Sequence, residues 1–154
     1  MVFIALPALQ RSQRNTEYRN RVSMMITMLD RYKANNRGRY PESTGSDGIR
    51  VGNTSTNADH GFYSYVQNSG MSDGTFVKVI PVIRSFTLPD YGILLTSPAT
   101  GDVHYGRVVA IINGECDSPS GGQNGFSFTH SVGKTSVFTL LEEGEYGTVY
   151  CQVI

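Results

Sequence analysis

The triplet Gly133-Lys134-Thr135 is the pattern in this sequence closest to a known chemical motif, because a Gly-Lys-Thr triplet ends many phosphate-binding loops. Such a loop needs another glycine five positions before the triplet, where backbone amides surround the phosphate. Phe128 occupies that position, and strand-like runs lie on both sides of the triplet. The sequence therefore predicts no nucleotide site here.

Patterns for metal binding and catalysis are equally weak. The histidines His60, His104 and His130 are far apart and have no metal-ligand spacing around them. Segment 116–125, CDSPSGGQNG, offers oxygen ligands suited to calcium but lacks the acidic spacing of a calcium loop. The sequence contains no Gly-x-Ser-x-Gly motif, and its carboxylates are scattered through turns. We predict no catalytic residue, no metal site, no cofactor and no enzymatic activity.

The two cysteines, Cys116 and Cys151, both lie in strand-like sequence in the last quarter of the chain. The count alone fits either a disulfide in an extracytoplasmic protein or two reduced thiols in a core. Alternation along the last strand places Val149, Cys151 and Val153 on one face, which points Cys151 inward.

Length and composition indicate one folded domain that is rich in turns and β-structure. The chain has 154 residues, of which 17 are glycine and 17% are charged. Its zero net charge conceals a split, since residues 1–41 carry a net charge of +6 and the remainder carries −6. A basic segment of this kind is found in nucleic-acid arms, beside membranes and on solvated helix faces.

Residues 15–35 have the spacing of an amphipathic helix, and the sequence after them supplies a stop. Asn35-Asn36-Arg37-Gly38 ends in a C-capping glycine, and Pro41 follows. Apolar residues recur every three or four positions, which places them on one helix face. We predict that this face packs on a sheet through Tyr18, Val22, Met25, Ile26 and Leu29, while Arg14, Arg21 and Arg31 stay more exposed in the isolated subunit.

The chain opens with MVFIALPAL, which is apolar apart from Pro7 and is followed by Arg11 and Arg14. This stub is shorter than the roughly 20 residues of a membrane span, and no basic residues precede it as in a signal peptide. It has the composition of the end of a longer apolar helix, or of an ordinary core segment. Pro7 would bend a helix that passes through it, because proline donates no backbone hydrogen bond.

Strand-like runs fill the rest of the chain. Residues 42–61 contain very few apolar residues, and we predict that they form a surface loop. The sequence LLEEGEYGTVYCQV near the end is typical of a hairpin that turns at residues 144–147. The predicted strands are 62–67, 75–83, 92–96, 103–113, 125–129, 135–141 and 148–153.

Both ends of the chain resemble the type IV pilin family. The N-terminal ALPALQRSQRN leads into the amphipathic helix and then NNRGRYP, where Gly38-Arg39-Tyr40-Pro41 resembles the family's Gly-x-Tyr-Pro element. The resemblance implies an α+β fold in which a long N-terminal helix, residues 1–36, packs on an antiparallel sheet. A globular β domain, residues 37–154, would then carry a variable loop at 42–61. NGEC and LLEEGEYGTVYCQ match the family's C-terminal cysteine pair, which implies a Cys116–Cys151 disulfide.

The same resemblance implies a structural role. The chain would be a filament subunit that assembles through its N-terminal helix and displays loops for adhesion, motility or surface contact. Its partners would be identical or related pilins and, before assembly, the inner membrane and the assembly machinery. It would be anchored in the membrane first and later lie in a cell-surface pilus. The implied assembly residues are Val2, Phe3, Ile4, Leu6, Pro7, Leu9, Arg11 and Arg14.

The sequence lacks some features expected of the family. Two related functions, those of a pseudopilin and of a DNA-binding minor pilin, remain as alternatives to a pilin. The family's leader peptide, cleavage site and first helical turns would account for about 20 residues upstream. A pseudopilin of a secretion system shares the fold but often binds calcium where this chain has cysteines. A DNA-binding minor pilin would expose basic residues among aromatic ones, whereas here the basic residues concentrate on the helix, so nucleic acid is not an expected partner.

Overall fold

The computed structural model describes residues 6–44, 48–53, 61–88, 105–122, 125–144 and 147–154. Among the described residues, the first element is helix α1, Leu6–Asn35, which is followed by one short helix and seven strands. These are β1 (Ile49–Arg50), α2 (Tyr63–Gln67), β2 (Phe76–Pro81), β3 (Phe86–Thr87), β4 (Val108–Cys116), β5 (Ser120–Gly122), β6 (Ser127–Leu141) and β7 (Thr148–Val153).

Helix α1 ends where the sequence predicts. Asn35 is its last residue, and the chain then turns through Arg37 and Gly38, both of which have positive φ angles of 57° and 78°. The Gly38 amide donates to the Lys33 carbonyl at 2.8 Å, which satisfies one of the free carbonyls at the helix end. Glycine suits this position because it adopts positive φ without steric cost.

The strands form one mixed sheet in the order β1-β2-β4-β6-β7-β5, with β3 added beside β6. Strands β4, β6 and β7 are antiparallel neighbours, and the β6–β7 pair is the predicted C-terminal hairpin. The prediction of a purely antiparallel sheet is wrong, because β2 runs parallel to β4, with Val77 opposite Val108. A parallel pair needs a crossover connection, and the long stretch between β2 and β4 supplies the length for one.

Hydrophobic residues are buried on both faces of this sheet. Val108, Ala110 and Ile112 of β4 belong to a core that includes the inner face of α1. The residues between them, Val109 and Ile111, belong to a second core, rich in phenylalanine, on the other face. The two cores explain why five consecutive residues of β4 are buried apolar residues, as in a central strand.

Several predicted strand boundaries are wrong. The predicted strand 62–67 is instead the helix α2 with Phe62 before its first residue, and the runs at 127–129 and 135–141 are parts of the single strand β6. In place of the predicted strand 103–113, the structure has β4 at Val108–Cys116, which begins and ends later in the chain. Part of the predicted surface loop, at 49–50, is the short strand β1. The predicted strand 92–96 lies outside the described residues.

The pairing of β6 with β4 is interrupted next to the Gly133-Lys134-Thr135 triplet. Ile112 of β4 faces Thr135, but Gly114 already faces His130, so residues 131–134 bulge from the ladder. Gly133 has a φ of 83°, and its amide donates to the Asn113 side chain at 3.2 Å. The triplet therefore shapes a β-bulge between two strand segments, which is not the strand-to-helix setting of a phosphate loop.

Candidate functional site

Helix α1 has an exposed beginning and an anchored end. Every residue from 6 to 14 is exposed, and the first buried position is Asn15. Leu6 and Leu9 have 51% and 57% of their surface in contact with solvent. Apolar side chains exposed in this way at the end of a helix indicate an interaction surface when they continue an apolar run.

The assembly residues implied by the pilin resemblance fall mostly on this exposed segment. Leu6, Pro7, Leu9, Arg11 and Arg14 are all exposed on α1. Val2, Phe3 and Ile4 lie outside the described residues. None of the helices in the described part of the chain has an apolar stretch long enough to cross a membrane.

The second half of α1 is anchored on the sheet by a stripe of apolar side chains. Val22, Met25 and Leu29 have no solvent-exposed surface, and Ile26 packs against the same core while partly buried. Tyr18 is only half-buried, and burial raises the pKa of its hydroxyl. Met28, which was not among the predicted residues, is also buried, because α2 covers that side of the helix.

Asn15 fixes the helix to the sheet at the point where exposure ends. Its side-chain oxygen accepts a hydrogen bond from the Glu142 amide at 2.7 Å, and its side-chain nitrogen donates to the Glu142 carbonyl at 3.3 Å. Asn15 is buried, so this pair replaces water at the backbone just beyond the end of β6. Nothing in the helical periodicity marks Asn15, because its partner is more than 100 residues away.

Replacing Asn15 with alanine should lower the free energy of unfolding by about 1–3 kcal/mol, because it leaves the partly buried backbone groups of Glu142 without their partners. The measurement is urea denaturation followed by circular dichroism. Asn20→Ala is the matched control, since Asn20 is exposed on the same helix and should change stability by no more than about 0.5 kcal/mol. Equal effects of the two substitutions would contradict the role given to Asn15.

Part of the basic charge of α1 is paired within the chain. Arg14 contacts Glu142 at 2.6 Å, and Arg19 contacts Glu143 at 3.0 Å, both across the helix–sheet junction. Arg21 pairs with Glu17 on the helix, and this hydrogen bond lowers the pKa of Glu17. Arg14, Arg21 and Arg31 are more exposed than the buried stripe, as predicted, although only 15% of the Arg21 side-chain surface reaches solvent.

Cys116 and Cys151 form a disulfide, as the pilin resemblance implies. The bond joins the end of β4 to β7 although β6 separates these strands in the sheet order. Beyond Cys116 the chain crosses to β7, where the Cys151 amide donates to the Pro119 carbonyl at 2.9 Å. The chain pairs with β6 up to Cys116 and with β7 from β5 onward. The disulfide therefore fixes the edge of the phenylalanine-rich core at the place where this change of partner strand occurs.

The oxygen-rich segment after Cys116 uses its carboxylate internally. Asp117 accepts hydrogen bonds from the hydroxyls of Ser127 and, at 2.7 Å, Thr129, and these bonds lower the pKa of its carboxyl group. Within the described ranges, no group of three histidine, cysteine or acidic side chains is placed to hold a metal ion. The predictions for His60 and His104 lie outside the described residues.

Comparison of the chain with protein-family models, with curated proteins and with solved structures gave no match.

Proposed function

We propose that this chain is a structural subunit of a type IV pilus-like filament. Its exposed N-terminal helix joins it to identical or related subunits, and its β domain lies on the outside. The role involves no catalysis and no cofactor. Before assembly, the apolar N-terminal part of the helix is held in the inner membrane and the subunit is handled by the assembly machinery; afterwards the subunit belongs to a cell-surface pilus.

The observation that carries this proposal is the division of α1 at Asn15. Residues 6–14 make no buried contact with the β domain, whereas the residues after them are fixed by the apolar stripe and by Asn15. A helix held firmly at one end and exposed at the other presents Leu6 and Leu9 in a defined direction. Repeating subunits can bury such side chains against one another, and this burial would favour assembly.

Charge supports the same arrangement. Arg14 is held by Glu142, and Arg11 lies exposed one helical turn nearer the N-terminus. An exposed arginine beside an apolar helix end can pair with a carboxylate of a neighbouring subunit, and residues 42–154 supply a net charge of −6. Such pairs contribute little energy but fix orientation and register.

The C-terminal region favours a pilin over the pseudopilin alternative. The disulfide closes the last strands, and Asp117, the carboxylate of the oxygen-rich segment, already accepts two hydroxyl hydrogen bonds. Calcium would have to share this carboxylate with both hydroxyls. The display of loops for adhesion, motility or surface contact is part of the proposal and rests on the resemblance alone.

Replacing Leu6 and Leu9 together with aspartate should abolish incorporation into filaments without unfolding the domain. The reason is that both side chains are exposed in the isolated subunit, so charge placed there meets water until subunits assemble. The test uses the gene with whatever segment precedes Met1 in the cell. Filaments are sheared from the surface and probed with an antibody against the β domain.

The matched control is Gln10→Asp with Gln13→Asp, which adds the same charge to exposed polar positions on the same helix end. This control should retain most filament incorporation. The proposal fails if the unmodified chain is absent from the sheared fraction, or if the leucine variant assembles as well as the control. Loss of the thermal transition in the leucine variant would show instead that residues 6–9 belong to the folded core.

A further inference from the structure

Helix α1 is held on the β domain by different kinds of contact in its two halves. From Val22 onward, buried apolar side chains pack into the core between the helix and the sheet. In the preceding part, Leu6–Arg21, Asn15 alone is buried, and every apolar side chain is exposed or only partly buried. We call this part the arm. A helix segment without a buried apolar face gains little stability from tertiary packing.

Polar contacts hold the arm at the end of β6. Arg14 and Asn15 both bond to Glu142, and Arg19 pairs with Glu143. We call these contacts the latch. The side chains of Arg14, Arg19 and Glu143 have 46%, 45% and 43% of their surface exposed, so water and salt compete with both ion pairs. The hydrogen bonds of Asn15 are therefore the part of the latch that water reaches least.

Three further residues of the arm contact the β domain, and none of their side chains is fully buried. The Tyr18 ring lies beside Gly106, and Arg21 donates to the Gly106 carbonyl at 3.0 Å. The Glu17 carboxylate accepts a hydrogen bond from the Ser72 hydroxyl at 3.2 Å. The ion pair between Arg21 and Glu17 lies within the helix, so it survives if the arm leaves the sheet.

The closed arm also leaves one polar atom in an unfavourable position. The Nε atom of Arg21 is buried and has no hydrogen-bond partner among the described residues. A buried donor without a partner costs free energy, and contact with water removes this cost. Moving the arm away from Gly106 would bring the Nε atom into water, so part of the free energy lost on opening is recovered.

The helix is locally weak at the boundary between the arm and the buried stripe. Asn20, Val22 and Ser23 have lower helix propensities than the arginine, glutamine and leucine residues elsewhere in α1. The Thr27 hydroxyl donates to the Ser23 carbonyl at 3.0 Å, a contact that often bends helices. The helix is therefore easiest to interrupt where its apolar anchoring begins.

We propose that the arm is hinged at residues 20–23 and that the latch at Glu142 and Glu143 holds it closed. When the latch opens, the arm leaves the sheet while the β domain stays folded. Closed, the arm presents Leu6 and Leu9 in one direction; open, it can turn them toward a neighbouring subunit. The hinge follows from contacts within one chain, whereas its use in assembly rests on the proposed function.

The first test is amide hydrogen exchange of the purified chain, followed by nuclear magnetic resonance. The Glu142 amide donates to the Asn15 side chain and exchanges when the latch opens, whereas the Val137 amide, in the middle of β6, exchanges when the domain unfolds. After correction for intrinsic rates, Glu142 should exchange at least about tenfold faster than Val137. Arg14→Gln with Arg19→Gln should speed exchange at Glu142 by a further factor of about three, and the control Arg31→Gln, on the anchored half, should not.

The second test measures distances between nitroxide labels by electron paramagnetic resonance. Labels at Gln10→Cys and Val132→Cys, both exposed, report on the arm, and Ala34→Cys with Val132→Cys is the control pair on the anchored half. Asn15→Ala should broaden the 10–132 distance distribution and leave the 34–132 distribution unchanged.

The proposal is overturned if Glu142 and Val137 exchange at equal corrected rates, or if Arg31→Gln acts like the double arginine variant. It is also overturned if Asn15→Ala leaves the 10–132 distribution unchanged. Both tests use the isolated subunit, so a negative result here does not bear on filament incorporation, and absence from filaments does not bear on the hinge.

Discussion

Replacing Leu29 with alanine should lower the free energy of unfolding by about 2–5 kcal/mol. Leu29 has no solvent-exposed surface and lies in the core between α1 and the sheet. The substitution removes buried methyl groups and leaves a cavity that the closely packed core around it cannot easily fill. The measurement is the midpoint and slope of urea denaturation, followed by circular dichroism.

Met24→Ala is the matched control for this experiment. Met24 is on the same helix and loses a side chain of similar size, but 36% of its surface is exposed. Its replacement should cost well under half as much as that of Leu29. If Leu29→Ala costs less than about 0.5 kcal/mol, the range of ordinary surface substitutions, the apolar stripe does not hold the helix on the sheet.

The helix is the part of the fold that the sequence predicts best, for a physical reason. Its apolar spacing and its stop signal are local patterns, and both survive in the folded chain. Ile26 and Tyr18 are less buried than Val22, because the sheet contacts only a narrow strip of the helix and the outer members of the stripe lie at its margin. Periodicity identifies a face but does not give the width of the contact.

The sheet is predicted less well, because its pairing depends on residues that are far apart in sequence. Segment 62–67 contains aromatic and β-branched residues, which favour a strand locally. It forms α2 because Phe62 and Val66 are buried together against α1, an arrangement that only the tertiary contacts select. The parallel β2–β4 pair likewise follows from how the chain crosses over, which leaves no local pattern.

The same limit applies to the candidate sites. Leu6, Leu9, Arg11 and Arg14 could be chosen from the sequence because an apolar run followed by arginines is a local signal. Asn15 meets the Glu142 backbone only through the fold. A single asparagine on a helix carries no spacing that would connect it to a partner more than 100 residues away.

Removing the disulfide should lower the free energy of unfolding by about 3–4 kcal/mol, comparable to the effect of a cavity at Leu29. Cys116 and Cys151 are separated by 35 positions, so the bond restricts a large loop of the unfolded chain. In the chain-entropy model, the loss of this restriction favours the unfolded state. The bond also joins β4 to β7 across the intervening β6, so its removal takes away a link that no strand pairing provides.

The experiment compares the oxidised protein, the reduced protein and the double variant Cys116→Ala, Cys151→Ala in urea. Alanine is chosen because both cysteines are buried, and serine would place hydroxyls in the phenylalanine-rich core. Reduction is carried out in the unfolded state, since the buried sulfurs are shielded in the folded one. The reduced protein and the double variant should both have a lower midpoint urea concentration of unfolding than the oxidised protein. A reductant should leave the midpoint of the double variant unchanged. Equal midpoints for the oxidised and reduced proteins would show that packing around β6 alone holds the last strands in place, and the disulfide would then have no part in the stability of the domain.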